Sequence, residues 1–130
     1  MYLNEVKLIG NLGNDAKTIT LQNDRMKVVF QMATQRSWKN KDGKYESRTE
    51  WHNIVVYSGL TKFAANLLKG ERVLVNGELR TREYEKEIGE GKKKTTATFQ
   101  ITEIFADSIR RMDRRKDDDT DFEPENEPAE

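Results

Sequence analysis

The chain has 130 residues, 35% of them hydrophobic and 35% charged, enough for one domain and poorer in core-forming residues than an average soluble domain. With no cysteine and a single histidine, His52, a disulfide framework, thiolate catalysis and cysteine-based zinc sites are excluded, and neither a metal nor a cofactor is expected. The net charge of zero conceals a split: residues 1–116 carry all 23 Lys and Arg against 15 acids, a net +8, while residues 117–130 carry eight acids and no base.

In chain order, β-branched and aromatic enrichment with period-2 alternation predicts five strands, at about 3–10, 26–37, 47–57, 72–85 and 94–105, with a weaker piece at Lys17 to Leu21. Both prolines, Pro124 and Pro128, lie in the acidic end, so long strands are permitted everywhere before it. Asp42-Gly43 marks a hairpin turn between the second and third strands, and Ile88-Gly89-Glu90-Gly91-Lys92 joins the fourth to the fifth. Gly10-Asn11-Leu12-Gly13 reads as a turn, because no Gly-Lys-Ser/Thr and no third glycine follow at the spacing a phosphate cradle needs. Between the third and fourth strands, Leu60, Phe63, Ala64, Leu67 and Leu68 fall at helical spacing; Ser58 stands near the N-cap and Gly70 at the C′ position.

Three strands, a helix and two strands is the element order of an all-β, five-stranded OB-fold Greek-key barrel, with the helix plugging one end and long hairpins projecting as arms. Residues 1–106 form the barrel domain and 107–116 a basic linker. Residues 117–130, with Phe122 as their one aromatic, cannot offset their ordering entropy and form a disordered acidic tail. No apolar run approaches the ~20 residues of a membrane span. Met1-Tyr2-Leu3-Asn4-Glu5 lacks a basic start followed by an apolar stretch. The expectation is a soluble, cytoplasmic protein without membrane contact.

Alternation in the third strand separates Trp51, Asn53, Val55 and Tyr57 from His52, Ile54 and Val56. A core built on Ile54 and Val56 turns Trp51 and Tyr57 outward. In the fourth strand Val73, Val75, Gly77 and Leu79 face inward, so Arg80, Arg82 and Tyr84 face outward, and Trp38 stands beside Arg36 and Lys39 at the root of the first arm. Any one such ring reads as ordinary half-buried packing. Four rings at outward parity, interleaved with bases, instead fit single-stranded nucleic acid, whose charged backbone suits Arg and Lys and whose unstacked bases suit aromatic faces. Base stacking is assigned to Trp38, Trp51, Tyr57 and Tyr84, and phosphate contact to Arg36, Lys39, Arg48, Lys62, Arg80, Arg82 and Lys92. His52, at inward parity with no nucleophile beside it, reads as a core or subunit-interface histidine. Glu83, Glu85 and Glu87 form a solvated strand face, and no enzyme motif is present.

Four segments, Asn4 to Asp15, Ala33-Thr34 with Trp38, Thr49 to Tyr57 and Leu68 to Arg82, together resemble the bacterial single-stranded DNA-binding proteins over about residues 1–106. The resemblance implies an OB barrel, commonly a homotetramer, that coats single-stranded DNA without sequence preference during replication, recombination and repair, at the nucleoid. It places Trp38, Trp51 and Tyr57 at base-stacking positions, Tyr84 where relatives often carry Trp, and His52 at a subunit contact. Relatives end in acids, an aliphatic residue, proline and a terminal phenylalanine that dock replication and repair proteins. Here Asp117-Asp118-Asp119-Thr120-Asp121-Phe122 supplies acids and a ring, but the chain runs on to Glu130. The rival reading is a protein-interaction module of a replication-restart complex with secondary DNA binding, which has no need of four outward rings.

Overall fold

The computed structural model describes residues 1–112. Its strands are β1 (Val6–Leu12), β2 (Lys17–Thr20), β3 (Met26–Lys39), β4 (Tyr45–Tyr57), β5 (Arg72–Ile88) and β6 (Thr95–Arg111), with helix α1 (Thr61–Ala64) between β4 and β5. They pair in the order β1-β5-β6-β4-β3-β2, and a further pairing of β1 with β3 closes β1, β3, β4, β5 and β6 into a five-stranded barrel. β2, the weak sequence signal, is a short appendix on β3. The one parallel pair among the described residues is β4 with β6, which makes the connection through α1 and β5 necessary.

Closure depends on β1 serving two neighbours. It pairs with β5 from Val6 to Asn11 and reaches β3 at Asn11 and Leu12. Gly10, expected in a turn, is buried inside this strand, where a Cβ would stand 2.1 Å from the Ala33 carbonyl oxygen; only a residue without a side chain admits that crossing.

Alternation fills the interior as the sequence implies. Val28, Phe30 and Met32 of β3, Ile54 and Val56 of β4, Val73 and Val75 of β5, and Ile104 and Ile109 of β6 are buried in one cluster with Leu12. Each such side chain contributes roughly 1.5–3 kcal/mol on burial. Ile104 and Ile109 differ in parity yet both face inward, because the register shifts between Asn76 and Gly77, where Asn76 lies opposite Ser108 and Gly77 opposite Ala106. Asp107 is the extra residue. The barrel strand therefore continues to Arg111, and residues 107–111, expected in a linker, belong to β6.

The plug is shorter than the apolar spacing predicts. α1 holds four residues, after which Asn66 and Leu67 donate their N–H groups to Phe63 and Ala64 in tighter three-residue turns. The following amides of Leu68 and Lys69 are taken by the side chains of Glu71 and Asp15, which replace helical acceptors and end the helix. Ala64 and Leu67 still close the barrel, whereas Leu68 is exposed. Ser58 provides no side-chain cap; instead the Thr61 hydroxyl donates to its carbonyl.

Two hairpins leave the barrel. The β3–β4 ladder runs unbroken from Lys27 opposite Tyr57 to Lys39 opposite Tyr45. Asn40 closes that turn, its Oδ1 accepting the Asp42 and Lys44 amides beside Gly43. The second arm pairs β5 with β6 out to Ile88 opposite Thr95. Leu79, expected in the core, is exposed at the root of this arm, where its backbone is held by the Asn4 side chain at 2.9 Å in both directions. No helix among the described residues is long and apolar enough to cross a membrane. The expected acidic tail lies outside the described residues.

Candidate nucleic-acid interface

One continuous outer face crosses three strands. β4 contributes Trp51, Asn53, Val55 and Tyr57. Asn53 and Val55 lie in register with Glu103 and Phe105 of β6, which in turn face Arg80 and Glu78 of β5. Farther out, Arg82 lies opposite Ile101 and Tyr84 opposite Phe99. Val55 is buried among these neighbours, so the face has an apolar floor below exposed rings. Trp51, Tyr57 and Tyr84 are 55, 39 and 40% exposed, a degree that leaves ring faces open to a flat partner.

The bases on this face are positioned by acids. Glu103, only 6% exposed, receives the Arg82 Nε at 3.0 Å on Oε1 and the Nη2 at 3.3 Å on Oε2. That two-point hydrogen bond, ahead of the Coulomb attraction, raises the Arg82 pKa and outweighs its desolvation. The same guanidinium lies 6.0 Å from the Tyr84 ring centroid. Arg80 donates from Nε to Glu78 at 2.6 Å. Arg80 and Arg82, assigned to phosphate, are therefore already paired, and each lies beside a ring.

Trp51 depends on a residue just beyond the end of β1. Gly13 follows β1, its N–H bonded to the Gln31 carbonyl, and a Cβ there would stand 2.3 Å from Cζ3 of Trp51. The indole thus lies over bare backbone, which fixes its position without burying it.

The four rings do not share one parity. Trp38 alternates with Met32 and Phe30, so it continues the inward face of β3 onto the arm, opposite to the face of Trp51. The expectation of four outward rings is corrected to three, because parity set in the barrel continues along an arm that no longer has an inside. Trp38, 38% exposed, lines a shallow cleft with Arg36 and Arg48. These two arginines are directly opposed in the ladder, a like-charge pairing that costs stability unless an anion lies between them. Arg48 also pairs with Glu50 at 3.1 Å. Lys39 lies 5.9 Å from the Tyr45 ring centroid near the arm's end. Lys92 is at the tip of the other arm and Lys62 on α1, each on a separate element from the three outward rings. His52 is half-buried, its Nε2 2.9 Å from the Thr34 hydroxyl on the inward-parity face.

Sequence reading missed Phe99, Glu103 and Phe105. Phe99 stacks on Tyr84 with centroids 5.7 Å apart, and Phe105 lies 5.5 Å from Tyr57. Their shared parity with Ile101 was visible, but the bulge at Asp107 hides which parity faces outward. The opposed parities of Ile104 and Ile109 were the signal that could have located it.

Comparison with known proteins gives the family. The model of the single-strand binding protein family matches residues 3–112. The chain belongs to that family. It is 37% identical over 117 residues to single-stranded DNA-binding protein 1 of Xylella fastidiosa, covering 88% of this chain and 81% of that one. To the single-stranded DNA-binding protein of Neisseria meningitidis it is 38% identical over 86 residues, 65% of this chain, and that match spans 49% of the relative. In three dimensions it is similar to a single-strand binding protein of Plasmodium falciparum solved in complex with single-stranded DNA, with a TM-score of 0.68, 29% identity and coverage of 87% and 97% of the two chains.

Proposed function

We propose that this chain binds single-stranded DNA without sequence preference, coating strands exposed in replication, recombination and repair at the cytoplasmic nucleoid, and that it is not an enzyme. The observation that carries the reading is the outer face on which Trp51, Tyr57 and Tyr84 stand exposed beside Arg80 and Arg82. Rings take base faces without regard to sequence, because every base has a π-face. On the second face of the first arm, Arg36 and Arg48 line one cleft with Trp38, on its barrel side, as a combined phosphate and base contact, with Lys39, Lys62 and Lys92 adding attraction at longer range. Binding only unpaired strand shifts the duplex equilibrium by mass action and needs no ATP.

The protein acts as a homo-oligomer, a tetramer by family resemblance, with His52 at a subunit contact. Its half-buried ring beside Thr34 supports that role. Light scattering at micromolar concentration gives a tetramer mass on this reading, and a monomer mass contradicts it.

Trp38 and Trp51 are the only tryptophans, which makes their emission a direct test. Titration with a dT oligomer quenches it, while a duplex of equal length does not. Emission indifferent to both ligands overturns the reading.

A further inference from the structure

The Arg80 guanidinium lies over the Phe105 ring, with Cζ 4.2 Å from the centroid. Its Nε is held by Glu78 at 2.6 Å, and the Phe105 ring is flanked by Tyr57 at 5.5 Å. A guanidinium is planar and weakly hydrated, so once laid on an aromatic ring it presents its other plane as a flat, cationic surface. Such a surface accepts a nucleobase as an aromatic ring does. A lysine at the same position is a point charge and offers no plane.

We propose that Arg80 and Phe105 form a composite stacking plane, in which Phe105 supports the guanidinium from below and a base of the bound strand lies on top, next to the base held by Tyr57. The proposal rests on the single-strand reading above and deepens it. Arg80 becomes a base contact rather than a phosphate contact, and Phe105 becomes its positioning residue. Glu78 orients the plane and offsets part of its charge, which suits stacking better than phosphate capture. Arg82 differs: its fork is occupied by the buried carboxylate of Glu103, and among the described residues its ring neighbour is Tyr84, at 6.0 Å from the centroid.

The test is the affinity of the full chain for a dT oligomer across a salt series, for Arg80→Lys, Phe105→Leu, the double variant and Trp51→Ala. Arg80→Lys keeps the charge and loses the plane. On the proposal it weakens binding about 5-fold or more at every salt concentration, with an unchanged slope of log K against log salt because the charge is kept. Phe105→Leu gives a similar loss, and the double variant little further loss, since both residues serve one plane. Arg80→Lys is an exposed, charge-conserving change, so it reads the plane even if Phe105→Leu unfolds. Wild-type affinity in Arg80→Lys overturns the proposal, because a lysine there keeps a phosphate contact and loses only the plane. Trp51→Ala separates the two readings: if it binds weakly while Arg80→Lys binds normally, only the composite plane fails; if neither loses affinity, the single-strand reading fails with it.

Discussion

The inside of the barrel and the face that carries its exposed rings are built from the same strands by opposite rules. Inside, Ile54, Val56, Val73 and Val75 are buried by neighbours from every direction, so each contact is redundant and geometry follows from close packing. Outside, Trp51 lies over Gly13, Arg82 is clamped by Glu103 and Arg80 rests on Phe105. Each group there is positioned by one or two contacts while remaining open to a ligand. On the proposed reading, stability resides in the aliphatic interior and in the Arg82–Glu103 clamp, and recognition in exposed rings that contribute little to it, so substitutions should sort the two regions by which observable they move.

The largest effect is expected inside. Ile54→Ala removes a fully packed side chain and should cost about 2–5 kcal/mol of unfolding free energy, read from the urea midpoint, with single-strand affinity preserved wherever the protein remains folded. A loss near zero would mean the interior is not close-packed.

Ion pairs sharpen the contrast next. Arg82→Leu leaves the buried Glu103 carboxylate without its fork and should destabilise by about 1–3 kcal/mol. Arg48→Leu, whose partner Glu50 is exposed on the arm, should change stability by less than about 0.5 kcal/mol. Equal effects would erase the distinction between a clamped and a solvated pair.

Gly13→Ala acts on recognition alone. The new methyl displaces the Trp51 ring, which should weaken dT binding by about 1 kcal/mol, part of the ~1–3 kcal/mol general to a stacked base, with little change in melting temperature. Unaltered affinity would show that the ring needs no fixed seat.

The smallest effect concerns the end of β6. Burial pushes the Glu71 carboxyl up, but hydrogen bonds from Arg111 and the Leu68 amide, with the Arg111 charge, outweigh it and hold the carboxyl below its ordinary value. A lowered folded pKa gives stability that is present above the ordinary carboxylate range and is lost as pH falls through the lowered value. Glu71→Gln should therefore cost about 0.5 kcal/mol or less at neutral pH and nothing in strong acid, followed by thermal melting across pH.

The two regions were unequally legible in the sequence. Burial on one side imposes a period of two, so Ile54, Val56, Val73 and Val75 were legible as core, and the order of strands and helix pointed to the barrel. Arms have no buried side, and alternation there carries parity without direction; Trp38 was consequently placed on the wrong face. Leu60 to Leu68 carried helical spacing, but side-chain acceptors on Asp15 and Glu71, distant or out of phase in the sequence, ended the helix after one turn. Phe105 and Glu103 were hidden by a single bulged residue, Asp107, which reversed the parity of everything before it relative to Ile109. Trp51 and Tyr57 on β4 and Tyr84 on β5 were placed on the outer face because Ile54 and Val56, and Val73 and Val75, fixed the inward parity of those strands.

The central claim is that exposed rings on the outer face bind the strand while contributing little to the fold. Measuring the dT affinity of Trp51→Ala together with its melting temperature tests both halves at once. The account predicts binding weaker by about 1–3 kcal/mol at an unchanged melting temperature. Wild-type affinity, or a weakening that merely tracks a lowered melting temperature, would contradict it.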